Sequence, residues 1–496
     1  MASHHHVSVD KDQRYEFSAK AQSRLILFMV IGLVLTLVGC FLAANHIGEG
    51  HHEASAYSSL TAAPVAMPGH GHDAAAHGAT HGAGHGEAKA EAHGEGHEAT
   101  VANASAHKDA NDHTRTGGGA ASEHGGGEHE YHWTKRLWAN LWLDGVFFTG
   151  LAVIGLFFVA VQYVSQAGWS AGLVRVPMAF ASFLPIGLGI LIVTFLVGGH
   201  DIFHWTHESL YQKGSPDYDP ILDGKRGYLN TPFFIIRMVV FVGAWILLGR
   251  MIRKNSLTED LQGGNSFWHK NHKLSAIFLV IFAVSSSMLA WDWTMSIEPH
   301  WYSTLFGWYT FASWHVAGIA TLGLTLVYLK DKGLLSHVNG NHLHDVGKFM
   351  FAFSIFWTYL WIAQYLLIWY ANIPEEIIYF LERTKGFDGK FTGVFFINIF
   401  INFVFPFLFL MTRDAKRTPL FLKIAASAII IGHWLDFYLM VMPGTVGAHA
   451  GFGFIEFGLV MLFAAAFIYV VSKSLASAPL VAKNHPMLQE SAHHDI

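Results

Sequence analysis

Eleven ionisable residues interrupt otherwise apolar stretches of this chain: Asp144, Arg175, His200, Arg237, Asp292, His315, Lys348, Lys423, His433, Asp436 and Glu456. An imidazole and a carboxyl meet in "HWLDFYLMVMPG", where His433 and Asp436 stand three residues apart and share one face of a helix. That spacing permits a hydrogen bond that orients the ring, or a proton step between the two groups. Such a pair could accept protons from a substrate that loses them on oxidation, such as a quinol, or serve a proton path across a membrane. It could equally be a helix-to-helix hydrogen bond, worth about 1 kcal/mol or less in a bilayer.

The other candidates differ in kind. In "SMLAWDWTMSIEPHWYSTLFGWYTF" the apolar run that starts near Leu274 closes on Asp292, between two tryptophans. Asp144, His315 and Asp292 are further candidates for proton transfer, His200 and Glu456 stand at apolar-run ends, and Arg237 is a cation that could pair with a nearby carboxylate. Arg175, Lys348 and Lys423 lie near the other ends of their runs, where a long side chain can snorkel to water. "HDIFHWTHE" sets His200, His204 and His207 on one face if the helix continues, a weak metal candidate with Asp201 and Glu208 at hand. A haem b would need two facing histidines, and only His315 and His433 qualify.

What must position these groups is a set of membrane helices. Of 496 residues, 52% are hydrophobic and 14% charged, with a mean hydropathy of +0.33. Unbroken apolar blocks of about 20 residues match a hydrocarbon layer of about 30 Å, inside which only a helix satisfies its own backbone. An all-α integral membrane protein follows, with ten expected spans: 25–44, 141–164, 171–199, 231–248, 274–293, 304–329, 346–371, 391–412, 419–441 and 453–472. Lys and Arg concentrate in one set of short loops (Arg250, Arg253, Lys254, Lys330, Lys332, Arg413, Lys416, Arg417), which predicts both termini on the cytoplasmic side. The carboxylates and imidazoles then collect toward the outer face.

Residues 1–24 read as a cytoplasmic N-terminus, 25–44 as the first span, and 45–136 as a low-complexity outer loop with fifteen histidines from His46 to His132. That loop lacks the apolar content to form a core and is expected to be disordered, with at most weak metal binding. Spans two to five (137–293) and six to nine (304–441) read as two similar four-helix bundles. Both fourth helices carry Trp and Asp near the outer end, and both third helices carry Phe-Phe-Ile, in "TPFFIIR" and "GVFFINIF". Span ten (453–472) and span one would be peripheral, and 473–496 a cytoplasmic tail. The single cysteine, Cys40, excludes an internal disulfide, an iron–sulfur cluster and covalently held haem c within this chain. It ends "LVGC", which has the form of a lipoprotein processing site, although the apolar run continues past it to spanning length.

"LAWDWTMSIEPHWYSTLFGWYTF" (289–311), "HLHDVGKFMFAFSIFWTYLWIAQYLLIWYANIPEE" (342–376), "KRGYLNTPFFIIR" (225–237) and "HWLDFYLMVMPG" (433–444) resemble the F subunits of bacterial alternative complex III. Those subunits are similar to the NrfD/polysulfide-reductase family of membrane anchors. The resemblance covers about 137–472. It implies a subunit of a quinol:cytochrome c or quinol:oxidase oxidoreductase in the bacterial inner membrane, more often discussed as a proton-conducting partner than as the redox subunit. The implied partners are a homologous C-type membrane subunit, an iron–sulfur subunit, c-type cytochrome subunits and a terminal oxidase, with no nucleic acid. Quinol or menaquinol is the implied substrate of the complex, and haem c and iron–sulfur clusters belong to the partners. Two other readings stay open: a quinol site of its own near the outer face, and an independent ion transporter.

Overall fold

The computed structural model describes residues 9–45 and 132–495. The histidine-rich segment therefore lies outside the described residues, apart from its two ends. All regular structure among the described residues is helical, with two isolated β-bridges. Ten helices are long and apolar enough to cross a membrane. They are α1 (Ala19–Asn45), α2 (Thr134–Val164), α3 (Arg175–Ile202), α4 (Thr231–Gln262) and α5 (Ser266–Trp293), followed by α6 (Phe306–Asp331), α7 (Gly340–Ala371), α8 (Thr392–Phe409), α9 (Pro419–Thr445) and α10 (Phe454–Ala476). Their outward side chains are apolar: Leu37, Phe41, Val193, Leu196, Val280, Leu367 and Ile431 are each more than half exposed. The chain is an all-α integral membrane protein.

Several helices outrun the apolar stretches that predict them. Asn230 caps α4 by accepting from the Phe233 N–H (3.0 Å), and Asn339 with His342 forms a capping box for α7. These polar ends add turns that hydropathy does not register, so α7 starts at 340 rather than 346. Likewise α2 starts at Thr134 rather than 141. Prolines act inside the spans. The first half of α3 breaks into short turns around Pro177 and Pro185. In α8 a π-helical segment, Phe400–Val404, immediately precedes Pro406, whose ring crowds the carbonyl four residues back.

The core is organised around α2, which packs against α3, α5, α6, α9 and α10. Its contact with α6 is a reciprocal interlock. Gly150 of α2 lies under the Trp314 ring and Gly318 of α6 under Ile154, so that a Cβ on either glycine would collide at 2.0 and 2.4 Å. Each helix thus offers one large side chain and one gap, four residues apart, to the other. Helix α1 packs on α10 through Gly32, Thr36 and Gly458, small residues that let the two backbones touch.

Segments 9–18 and 477–495 meet on one side of the helices, the terminal face: the Leu480 N–H donates to the Gln13 carbonyl (2.9 Å). Arg175 does not snorkel, contrary to expectation. It is buried, pairs with Asp260 (2.6 Å), and donates to the carbonyls of Pro479 (3.0 Å), Val481 (3.1 Å) and Ser256 (3.0 Å). Its guanidinium geometry suits this fan of acceptors. Lys348 and Lys423 keep partly exposed ends and pair with Asp345 and Asp331 at the same face. Arg175→Leu is expected to destabilise the protein by about 3–5 kcal/mol, since it strips the cation from a buried pair. The check is a lower melting temperature in detergent together with protease cleavage within 477–495.

Candidate functional site

Four helices converge on Asp436. It projects from α9, nine residues before the helix ends at Thr445, which at 1.5 Å per residue is about 14 Å from that end. Its Oδ1 accepts from the Tyr309 hydroxyl of α6 and from Asn398 Nδ2 of α8 (3.0 Å), and its Oδ2 from Trp357 Nε1 of α7 (2.9 Å). Asp436 is fully buried, and among the described residues it makes no ion pair. Its carboxyl is therefore held by neutral donors only, one from each neighbouring helix of the set. A carboxyl so placed can hold or release a proton without breaking a salt bridge.

The local sequence explains how the helices come this close. Gly432 lies against the π segment of α8, and a Cβ there would fall 2.2 Å from Asn402 Oδ1. Asn402 Nδ2 in turn donates to Asn398 Oδ1 (2.6 Å), which leaves the Asn398 amide nitrogen facing Asp436. Asn398 stands in the regular turn just before the π segment and Asn402 within it. His433 shares the helix face of Asp436 as expected but bonds elsewhere: its Nδ1 meets Ser313 Oγ of α6 (3.0 Å). The Trp357 ring stands edge-on to the imidazole at 5.4 Å and touches both groups.

Asp144 differs from expectation in depth. Because α2 begins at Thr134, this carboxyl lies ten residues inside the helix, at roughly 15 Å. It is buried, its Oδ1 accepts from Trp434 Nε1 of α9 (2.7 Å), and its Oδ2 meets no donor among the described residues. His315 is enclosed by the rings of Phe157 (5.4 Å), Phe311 (5.5 Å) and Phe353 (4.1 Å), and neither ring nitrogen has a hydrogen-bond partner among the described residues. His315 and His433 share no ring neighbour and no polar partner.

The remaining candidates are ion pairs or loop ends at the face opposite the terminal one. Arg237 of α4 grips Asp292 of α5 through Nε (2.6 Å) and Nη2 (2.9 Å), donates from Nη1 to the Tyr228 carbonyl (3.1 Å), and stacks on Tyr228 and Phe233. Glu456 caps the first turn of α10 and accepts both guanidinium arms of Arg136 (2.7 Å each), the Asn140 amide (2.9 Å) and the Gly453 N–H (2.9 Å). Arg383 pairs with Glu298 (2.5 Å), and its Nε donates to the Leu439 carbonyl (2.9 Å). Pro443 frees that carbonyl, because it has no N–H to return to it. The expected single face for His200, His204 and His207 does not form, because α3 ends at Ile202 and Phe203 is extended. His200 Nδ1 instead meets Thr206 Oγ1 (2.9 Å), and the described residues hold no cluster of three metal-ligating side chains.

Tyr309, Trp357 and Asn398 escape a search for ionisable residues because they carry no charge. One signal was present. Superposing the two Phe-Phe-Ile motifs puts Asn398 one position from Arg237, and each reaches the aspartate of the following span. The two halves thus share a helix-to-helix link and differ in its chemistry, an ion pair in one and neutral donors in the other. The chain matches no protein-family model and no curated protein.

Two outcomes test this division. Asp292→Asn leaves the Arg237 guanidinium buried without its counter-charge, so a loss of about 3–5 kcal/mol is expected, read as a lower melting temperature and poor yield. An Arg237→Met/Asp292→Leu double variant should recover most of it. Glu382, on the Pro374–Thr384 helix between α7 and α8, is pushed up to about 7 by partial burial, helped by the charge of Glu298 and opposed by Arg383. A carboxyl whose folded value lies above its unfolded value is a native-state proton binder, so its contribution to stability is lost as pH rises from about 4.5 through about 7. Glu382→Gln should melt with the wild type at pH 5 and a few degrees above it at pH 8.

Proposed function

We propose that this chain is a membrane subunit of a respiratory quinol:cytochrome c or quinol:oxidase oxidoreductase complex of the alternative complex III type. In it the chain handles protons and supports assembly, while electrons travel through haem c and iron–sulfur clusters of partner subunits. On this reading it sits in the bacterial inner membrane with both ends cytoplasmic, beside a homologous C-type membrane subunit. The four resembling motifs support the family. The observation that carries the proton role is Asp436, a carboxyl at mid-membrane depth with hydroxyl, indole and amide donors and no cation. Keeping such a group in hydrocarbon is unfavourable by a few kcal/mol, which makes it a functional group by default.

The surroundings favour proton handling over a quinol pocket in this chain. Tyr309 stands between Asp436 and a cleft lined by Trp361, Gln364, Tyr379 and Arg383. That cleft has a volume of about 20 Å³, room for a single water rather than a quinol ring. A water there could exchange a proton with the Tyr309 hydroxyl, and the hydroxyl with Asp436, toward the face that carries Arg383 and Glu298. Asp292 answers to a different role: its carboxylate neutralises Arg237 and supports assembly of the first set of helices.

The test is Asp436→Asn in the native complex, which keeps the shape and the acceptor for Tyr309 while removing the titratable group. The complex should assemble, and either quinol oxidation should fall at least tenfold or the proton-to-electron ratio should drop to the one proton per electron that quinol oxidation itself releases. Lys423→Gln, at a partly exposed pair, should leave both unchanged. Full turnover with an unchanged ratio in Asp436→Asn would reduce the residue to packing.

A further inference from the structure

Arg253 is a partly buried cation with no anion beside it. From α4 it donates through Nη1 to Ser182 Oγ of α3 (3.1 Å) and to Ser474 Oγ, and through Nη2 to the Ser474 carbonyl (2.8 Å) and Ser477 Oγ (2.7 Å) at the end of α10. All four acceptors are neutral, and Arg253 forms no ion pair among the described residues, whereas Arg175, Arg237 and Arg383 each hold a carboxylate. The end of α10 offers only about half a negative charge. Removing a guanidinium from water ordinarily requires a full counter-charge.

The setting indicates where that charge comes from. Arg253 and Arg175 border an aliphatic cleft (Met178, Leu257, Leu475) between α3, α4 and α10; at about 20 Å³ it holds a water and not a phosphate, so a headgroup would meet the exposed side of Arg253 at its mouth. At this level the outward surface changes character. On α4 the exposed Val240 and Leu247 give way to Arg250 and Lys254, and on α10 Ile468 gives way to Lys473. A cationic rim above an apolar wall, at the edge of the hydrocarbon layer, is complementary to a phosphate headgroup with its acyl chains below.

We propose that Arg253 and the serine hydroxyls around it seat the headgroup phosphate of an anionic phospholipid, its acyl chains lying along the apolar surface of α4 and α10. This site is separate from Asp436 and does not depend on the proton reading. The experiment is native mass spectrometry of the full chain in detergent, titrated with dioleoyl-phosphatidylglycerol or dioleoyl-phosphatidylcholine. The wild type should retain one phosphatidylglycerol in preference to phosphatidylcholine. Arg253→Gln, which keeps hydrogen bonds to the serines, should weaken that retention about tenfold, as loss of one charge-assisted contact predicts. Arg253→Lys should restore most of it, and Lys423→Gln should leave it unchanged. Equal retention by wild type and Arg253→Gln, or no preference between the two lipids, would overturn the site. Displacement of the lipid by millimolar inorganic phosphate would overturn its assignment to a lipid rather than a soluble anion.

Discussion

Hydrocarbon supplies no hydrogen-bond partners, so each polar group within the helices has to be met by another part of the same chain. Asp436 shows how far that requirement reaches. Tyr309, Trp357 and Asn398, from three helices, meet one carboxyl, and α9 must carry glycine at 432 for α8 to come this close. Removing any of these would leave a buried oxygen or nitrogen unmet, at about 1–3 kcal/mol for a neutral group. The carboxyl is thus the point where α6, α7, α8 and α9 are tied together.

The same requirement is solved with charges nearer the membrane surface. Arg237 with Asp292, Arg136 with Glu456 and Arg383 with Glu298 each join segments distant in sequence by a close pair, and each arginine or glutamate also meets backbone groups. Ion pairs suit these positions because water nearby lowers the desolvation penalty of both partners. At the depth of Asp436 and Asp144 no cation accompanies the carboxyl, and indole, hydroxyl and amide groups take over. Depth thus separates the carboxylates held in ion pairs from those met, among the described residues, by neutral donors alone.

The contact between α2 and α6 is steric: the two helices interlock through Gly150 under Trp314 and Gly318 under Ile154. In lipid no hydrophobic force drives helices together, so close packing of this kind has to supply the attraction. Trp434 adds a polar contact, carrying α9 onto Asp144 of α2. Both carboxyls are consequently tied to α9, through Trp434 and Asp436, two residues and about half a turn apart along it.

The ten spans are legible in the sequence, because spanning length and apolarity are local properties that a bilayer demands of each helix separately. The sequence also marked Asp436, Asp292, Asp144 and Arg237, since charge within an apolar run needs no third dimension to be noticed. Only the tertiary structure decided which of these carboxyls has a counter-charge. Arg237 and Asp292 lie 55 residues apart and pair, whereas His433 and Asp436 lie three apart and each bonds to α6, through Ser313 and Tyr309, instead of to the other. Hydropathy missed the polar first turns of α2 and α7 and hence the depth of Asp144, and it read Arg175 as a surface cation although the C-terminal segment folds over it. Tyr309, Trp357 and Asn398 became visible only when four helices closed around one oxygen pair, because a neutral donor acquires its meaning from the acceptor it reaches.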